Sequence, residues 1–313
     1  MWTGLIGHPA CLEHLPPRGH PECADRLRAV MGHLETGAFQ DLVRIDAPLA
    51  DESDLLRAHT RGHIDAILGP AAVEAVSKGY LQIDPDTAMM SGSIDAALRA
   101  AGAVVAAVDE VHAGRLRNAF CAVRPPGHHA ERARAMGFCL FNNVAVGALH
   151  ARAVRGYQRI AIVDFDVHHG NGTQDIFWSD IDTFYASSHQ APFYPGTGTA
   201  SERGVAGNIL NVPLRAGSGS REFRSAYEHE ILPALQKFAP DFIFISAGFD
   251  AHRDDPLAEL ELVESDFFWV TQAIGEIARM CCSARVVSVL EGGYDLEALA
   301  RSSAAHVRAL MEA

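Results

Sequence analysis

Two hydrophobic patterns alternate along the chain. Apolar residues recur at three- and four-residue spacing from Ser93 to His112, closing at Gly114, and from Asn142 to Arg155, closing at Gly156. The same spacing runs from Arg221 to Phe238 and from Ser265 to Met280, and it predicts amphipathic helices at all these places. Between them lie short runs that are apolar throughout: AFCAV at 119–123, RIAIVDF at 159–165, FIFISA at 242–247 and RVVSVL at 285–290. A strand wetted on one face would alternate, so these runs predict strands covered on both faces of a mainly parallel sheet. The expected class is α/β, a three-layer α/β/α arrangement around that central sheet. No repeat, low-complexity tract or flexible linker divides the chain, and residues 1–313 read as a single domain.

Composition narrows the partners. With 48% hydrophobic residues the chain can bury a large core. A formal net charge of −13 argues against binding to nucleic acid, which draws on a Lys/Arg excess, and favours cationic partners. Cysteines at 11, 23, 121, 139, 281 and 282 include no C-x-x-C pair and suggest neither a zinc ribbon nor a disulfide framework, so reduced thiols are expected. The N-terminal stretch lacks a basic segment followed by an apolar one, and the apolar run at 100–108 is cut off by Arg99 and Asp109. No membrane association and a cytoplasmic location are therefore expected.

The chemistry sits where the predicted strands end. The first runs into Arg124-Pro-Pro-Gly-His128-His129, the second into Asp164-Phe-Asp166-Val-His168, the third into Gly248-Phe-Asp250 and the fourth into Glu291-Gly-Gly-Tyr294. Ligands of open α/β sheets bind beyond the carboxyl ends of the strands, so these groups should meet in one crevice. Asp166 and His168, two apart, should leave the same face of an extended segment, although a lone D-x-H is more often a surface turn. Joined by Asp250 they make a carboxylate, imidazole, carboxylate set with room for water, as a catalytic zinc site requires; iron, manganese or cobalt would also suit it. Of His128 and His129, aimed by a stiff Pro-Pro-Gly turn, one can act as general base and the other can steady charge. Taken singly they would pass for a structural pair. Asp164 can orient an imidazole, and Tyr294 can donate a hydrogen bond to an oxyanion.

Taken together, R-P-P-G-H-H at 124–129, G-F-C-L-F-N-N at 137–143, D-F-D-V-H-H-G-N-G at 164–172, Y-P-G-T-G at 194–198, A-G-F-D at 247–250 and E-G-G-Y at 291–294 resemble the motifs of the histone deacetylase superfamily. The resemblance runs from Gly19-His-Pro-Glu22 to Tyr294 and implies the arginase-like α/β fold. It implies that Asp166, His168 and Asp250 bind zinc, that His129 is the general base and acid, that His128 with Asp164 gives electrostatic help, and that Tyr294 polarises the acyl carbonyl. Gly137, Phe138 and Tyr194 would wall a narrow acyl-lysine tunnel. A structural potassium ion would involve Asp164, Asp166, His168, Ser187 and Ser188. Asn171 stands where class I members carry Asp, so His129 should have a lower pKa; with Glu291 this resembles the class II branch. Leu257 replaces the Glu gatekeeper of polyamine-selective relatives.

The resemblance thus implies a zinc-dependent deacylase acting on acyl-lysine in proteins or peptides. An acetylpolyamine or small-amide amidohydrolase is the alternative enzyme, and a catalytically silent acyl-lysine binder is the alternative of another class. Asp84 and Asp86 read either as rim residues holding a peptide backbone or as solvated turn residues. By analogy with relatives, a homo-oligomer using the segment near Pro16-Pro17-Arg18 is a further expectation.

Overall fold

A computed structural model describes residues 2–313; Met1, the first residue of the expected domain, lies outside them. The strands are β1 (Trp2–Gly7), β2 (Val43–Asp46), β3 (Tyr80–Asp84), β4 (Thr87–Met90), β5 (Leu116–Cys121), β6 (Ile160–Asp164), β7 (Thr183–Gln190), β8 (Ile209–Leu214), β9 (Phe242–Ala247) and β10 (Val286–Leu290). Eight of them form one sheet in the order β2-β1-β5-β10-β9-β6-β7-β8. Every neighbouring pair in it is parallel, and β3 and β4 form a separate antiparallel hairpin. The central strands β6, β9 and β10 are buried at every position, which is why their sequences do not alternate.

The helices are α1 (Ala24–Leu34), α2 (Glu52–Ala58), α3 (Arg61–Leu68), α4 (Pro70–Ser77), α5 (Ser93–His112), α6 (Asn143–Ala153), α7 (Asn171–Phe177), α8 (Ser220–Ala226), α9 (Leu232–Phe238), α10 (Glu264–Cys282) and α11 (Leu296–Glu312). They flank the sheet in two groups, α5 with α6 and α2, and α11 with α10 and α1. Side chains from β1 through α11 join in one buried apolar cluster. The helix expected over 221–238 is interrupted by a π turn at Tyr227–Ile231, where Leu232 N–H reaches back to Tyr227 O. Pro233 lacks the N–H that would bond the carbonyl of residue 229 and its ring crowds that oxygen, so the helix widens just before it.

The topology matters most at the carboxyl ends of β5, β10, β9 and β6. These strands, distant in sequence, are consecutive neighbours at the middle of the sheet. Their ends therefore deliver the four polar segments into one place.

Candidate active site

Strand β6 stops at Asp164, and residues 166–168 form a bend. The expectation that Asp166 and His168 share a face by strand alternation is thereby corrected. They converge because His168 N–H turns back onto Asp166 Oδ1 at 2.8 Å, a local turn that aspartate side chains favour. Asp250, just beyond β9, completes the group: His168 Nδ1 lies 3.0 Å from Asp166 Oδ1 and 3.1 Å from Asp250 Oδ2, and all three residues are buried. Each carboxylate is anchored through its other oxygen. Asp166 Oδ2 accepts Gly292 N–H at 2.8 Å, and Asp250 Oδ1 accepts Val167 N–H at 2.9 Å.

This close approach depends on missing side chains. A Cβ on Gly248 would fall 2.0 Å from Asp166 Oδ2, and one on Gly292 would fall 2.0 Å from Asp250 Oδ2. The electrostatics show what the cluster lacks. Burial alone would strip His168 of its proton, yet Asp166 and Asp250 outweigh it and lift the imidazole to about 10. Burial and the neighbouring Asp166 raise Asp250. Two buried carboxylates this close call for positive charge, and His168 Nδ1 lies within hydrogen-bond distance of both. One donor atom from each residue lies within 4.8 Å of the others. Two oxygens and one nitrogen fit zinc, with a position left for a non-protein ligand.

The paired histidines lie beyond β5 and differ in their partners. His128 Nδ1 lies 3.0 Å from Asp164 Oδ2, which also accepts the Tyr185 hydroxyl at 3.0 Å, while Asp164 Oδ1 accepts Asp166 N–H at 3.1 Å. Burial opposes a charged His128, but Asp166, Asp164 and Glu291 raise it well above the ordinary range. Burial also raises Asp164, against the pull of His128. We place the shared proton on His128, because three donors converge on the carboxylate and favour its anion. His129 Nδ1 instead meets Asn171 Oδ1 at 2.7 Å. The Asn171 amide is oriented by Glu131, which accepts its Nδ2–H at 2.8 Å. Burial, His128 and His168 push His129 well below the ordinary range, leaving a neutral imidazole whose Nδ1–H is donated to Asn171 and whose Nε2 is an open acceptor.

Glu291 ties this turn to β10. Its Oε2 accepts the N–H groups of Gly127 at 2.7 Å and His128 at 3.1 Å, and its Oε1 accepts the Ser246 hydroxyl at 3.0 Å. Next along the chain, Gly293 takes φ +122, a conformation that suits glycine. Arg26, wholly buried, donates 2.5 Å hydrogen bonds to the carbonyls of Gly293 and Glu291 and lies 4.9 Å above the Tyr294 ring. Its charge is matched by Glu22, which also receives Arg124 at 2.7 Å. Burial, Asp250 and Asp166 outweigh the opposite influence of Arg26 and hold the Tyr294 phenol well above its usual pKa, so it keeps its proton. Arg26, Glu131 and Asp255 carry no motif role in the sequence, and Glu22 enters it only at the end of Gly19-His-Pro-Glu22 with no role attached, because nothing local shows what a buried charge will pair with.

Phe138 and Tyr194 lie against these groups. Phe138 meets the Tyr294 ring edge-on at 6.0 Å, and Tyr194 meets His129 at 5.2 Å. Phe193, which no motif singles out, stacks on His168 at 5.2 Å. Gly137 and Phe138 both have positive φ, +57 and +68. The β3–β4 turn clamps them: Asp86 Oδ1 accepts Gly137 N–H at 3.2 Å and Thr87 Oγ1 accepts Phe138 N–H at 2.9 Å. Asp84 pairs with Arg134 at 2.9 Å. Leu257 is 36% exposed. The Ser187 and Ser188 hydroxyls bond His189 and Tyr227 rather than the carboxylate cluster.

Comparison with family models matches residues 20–310 to the Histone deacetylase domain, and the chain belongs to that family. Relatives in this family carry the names histone deacetylase and probable deacetylase, and a deacetylase hydrolyses an amide. The chain is 40% identical to Histone deacetylase 14, chloroplastic, of Arabidopsis thaliana over 93% of its own length and 73% of that protein's. It is 42% identical to a Probable deacetylase of Methanothermobacter thermautotrophicus, over 93% of this chain and 86% of the other. Type-2 histone deacetylase 2 of Dictyostelium discoideum is 39% identical, but this chain spans only 21% of its length. The crystal structure of the HDA15 HD domain superposes with a TM-score of 0.93 at 37% identity, covering 99% of this chain and 88% of that one. Among the described residues no helix is long and apolar enough to cross a membrane.

Proposed function

We propose that the chain is a zinc-dependent deacylase that releases acetyl or another acyl group from the side-chain amine of acyl-lysine in a protein or peptide. The observation that carries this reading is the convergence of Asp166, His168 and Asp250 beside a His129 whose Nδ1 is already committed to Asn171. Zinc bound there supplies polarisation of the acyl carbonyl and a lowered pKa for the attacking water. His129 Nε2 takes the proton from that water and then delivers it to the departing amine. His128, protonated against Asp164, keeps positive charge beside the reaction. The Tyr294 hydroxyl donates a hydrogen bond to the carbonyl oxygen as negative charge develops there. Phe138 and Tyr194 present ring faces and edges that bury a slim methylene stem while excluding bulk.

The test uses zinc-loaded protein with an acetyl-lysine peptide and acetylspermidine side by side. The peptide is expected to turn over faster; faster turnover of the polyamine would reverse the substrate assignment. His129→Ala should keep its zinc and lose turnover, whereas Asp250→Ala should lose the metal. A metal-free His129→Ala protein would break the division between ligands and base.

A further inference from the structure

Resting on that reading, we infer that Asp255 is a positioning residue that fixes Tyr294 relative to the metal-binding loop and the tunnel mouth. Asp255 is buried, and its carboxylate is satisfied by main-chain donors from two separate loops. Oδ1 accepts Leu257 N–H at 3.0 Å, and Oδ2 accepts Tyr294 N–H at 2.7 Å. Its own N–H donates to His252 O at 2.9 Å, two residues past the ligand Asp250. The Leu257 bond alone would be an ordinary aspartate turn. The Tyr294 bond spans 39 residues and serves no local turn.

The role of this bond comes from the loop it closes. In the Glu291 to Tyr294 segment the carbonyls of Glu291 and Gly293 are held by Arg26, and Gly292 N–H is held by Asp166. Asp255 takes the last N–H, directly beyond Gly293 and its φ of +122. A glycine in that region has many backbone alternatives. Without the final tether the loop could relax about Gly293 and carry the phenol away from the developing charge, while the metal ligands stayed in place. A buried carboxylate is costly unless fully hydrogen-bonded, and here its two oxygens link the Leu257 backbone to that of the oxyanion donor.

Asp255→Asn keeps the shape but offers only one acceptor oxygen, with an amide N–H₂ facing the other donor. On zinc-loaded protein and an acetyl-lysine peptide, kcat should fall by about 10- to 100-fold, the scale of a catalytic group displaced by about 1 Å. KM should stay within about threefold, as expected when an interaction made in the transition state is lost. Zinc content should match the parent, and the Tyr294 amide should exchange hydrogen faster. In a Tyr294→Phe background the same change should lower kcat by less than about threefold, since the hydroxyl it positions is gone. A full loss persisting in that background, an unchanged kcat in the single variant, or an unchanged Tyr294 amide exchange would overturn the proposal. Should Asp255→Asn not fold, Asp255→Ser, too short to reach both donors, enters the same cycle with the same expectations. Failure of the functional reading shows separately, as Tyr294→Phe with undiminished turnover.

Discussion

Substituting Gly292 by alanine tests whether the carboxylates converge because no side chain stands between them. The added Cβ would lie 2.0 Å from Asp250 Oδ2 and 2.6 Å from Asp166 Oδ2. Carbon–oxygen contacts normally begin near about 3.3 Å, so at least one carboxylate must retreat by about 1 Å. Backbone strain is not involved, because the positive φ belongs to Gly293 and not to Gly292. Metal–ligand distances tolerate only about 0.2 Å. Disturbances of a ligand's support typically cost about 10- to 100-fold in affinity, or about 1.4–2.7 kcal/mol. The assay is zinc titration of metal-stripped protein against a competing chelator, checked by elemental analysis. Gly32→Ala on α1, where a Cβ meets nothing within 4 Å, is the control. It should keep parental zinc affinity and gain about 0.5–1 kcal/mol of stability. Parental zinc affinity in Gly292→Ala would refute the close-packing argument.

Three further outcomes are expected. Asn171→Asp places an anion at the 2.7 Å contact with His129, raising the imidazole pKa and moving the acidic limb of the kcat/KM profile to higher pH; an unmoved limb would show that another group sets it. Glu22→Gln leaves Arg26 and Arg124 buried with diminished compensation and should cost about 3–5 kcal/mol in urea unfolding. Burial raises Glu22, but Arg124 and Arg26 bring it down to about 2 against an ordinary 4.5. Its contribution is thus full above pH 4.5 and lost as pH falls toward 2, and the variant's stability curve should be flatter in that window. Thr87→Val removes the acceptor of the Phe138 N–H and should raise peptide KM by roughly five- to tenfold, the worth of about one hydrogen bond. An unchanged KM would mean that the hairpin does not hold the wall.

The middle of the fold was legible because its physics is local and uniform. FIFISA coincides with β9, and the Ser93 to His112 pattern coincides with α5. Each rests on an unbroken periodicity that burial on the sheet or against it enforces. The margins were not legible for equally physical reasons. Strand β2 is exposed or half-exposed at every residue, β8 carries Pro213 near the sheet's edge, and neither repeats a pattern. At the site, the motif residues stand at strand ends where polar groups interrupt apolar runs, so Asp166, His168, Asp250 and the histidine pair could be gathered from the sequence. The bend that brings Asp166 to His168 could not be, since two residues two apart read equally well as extended. Arg26, Asp255 and the ion-pairing role of Glu22 stayed hidden because burying a charge contradicts local patterning and makes sense only beside partners supplied by distant segments.

The most direct measurement is acetate release from an acetyl-lysine peptide by metal-stripped protein as zinc is added back. Activity should be absent at first and rise to a plateau at one zinc per chain, and Asp250→Ala should show neither tight binding nor the rise. Full activity of the stripped protein, or one tightly bound zinc with no acetate released, would contradict the account.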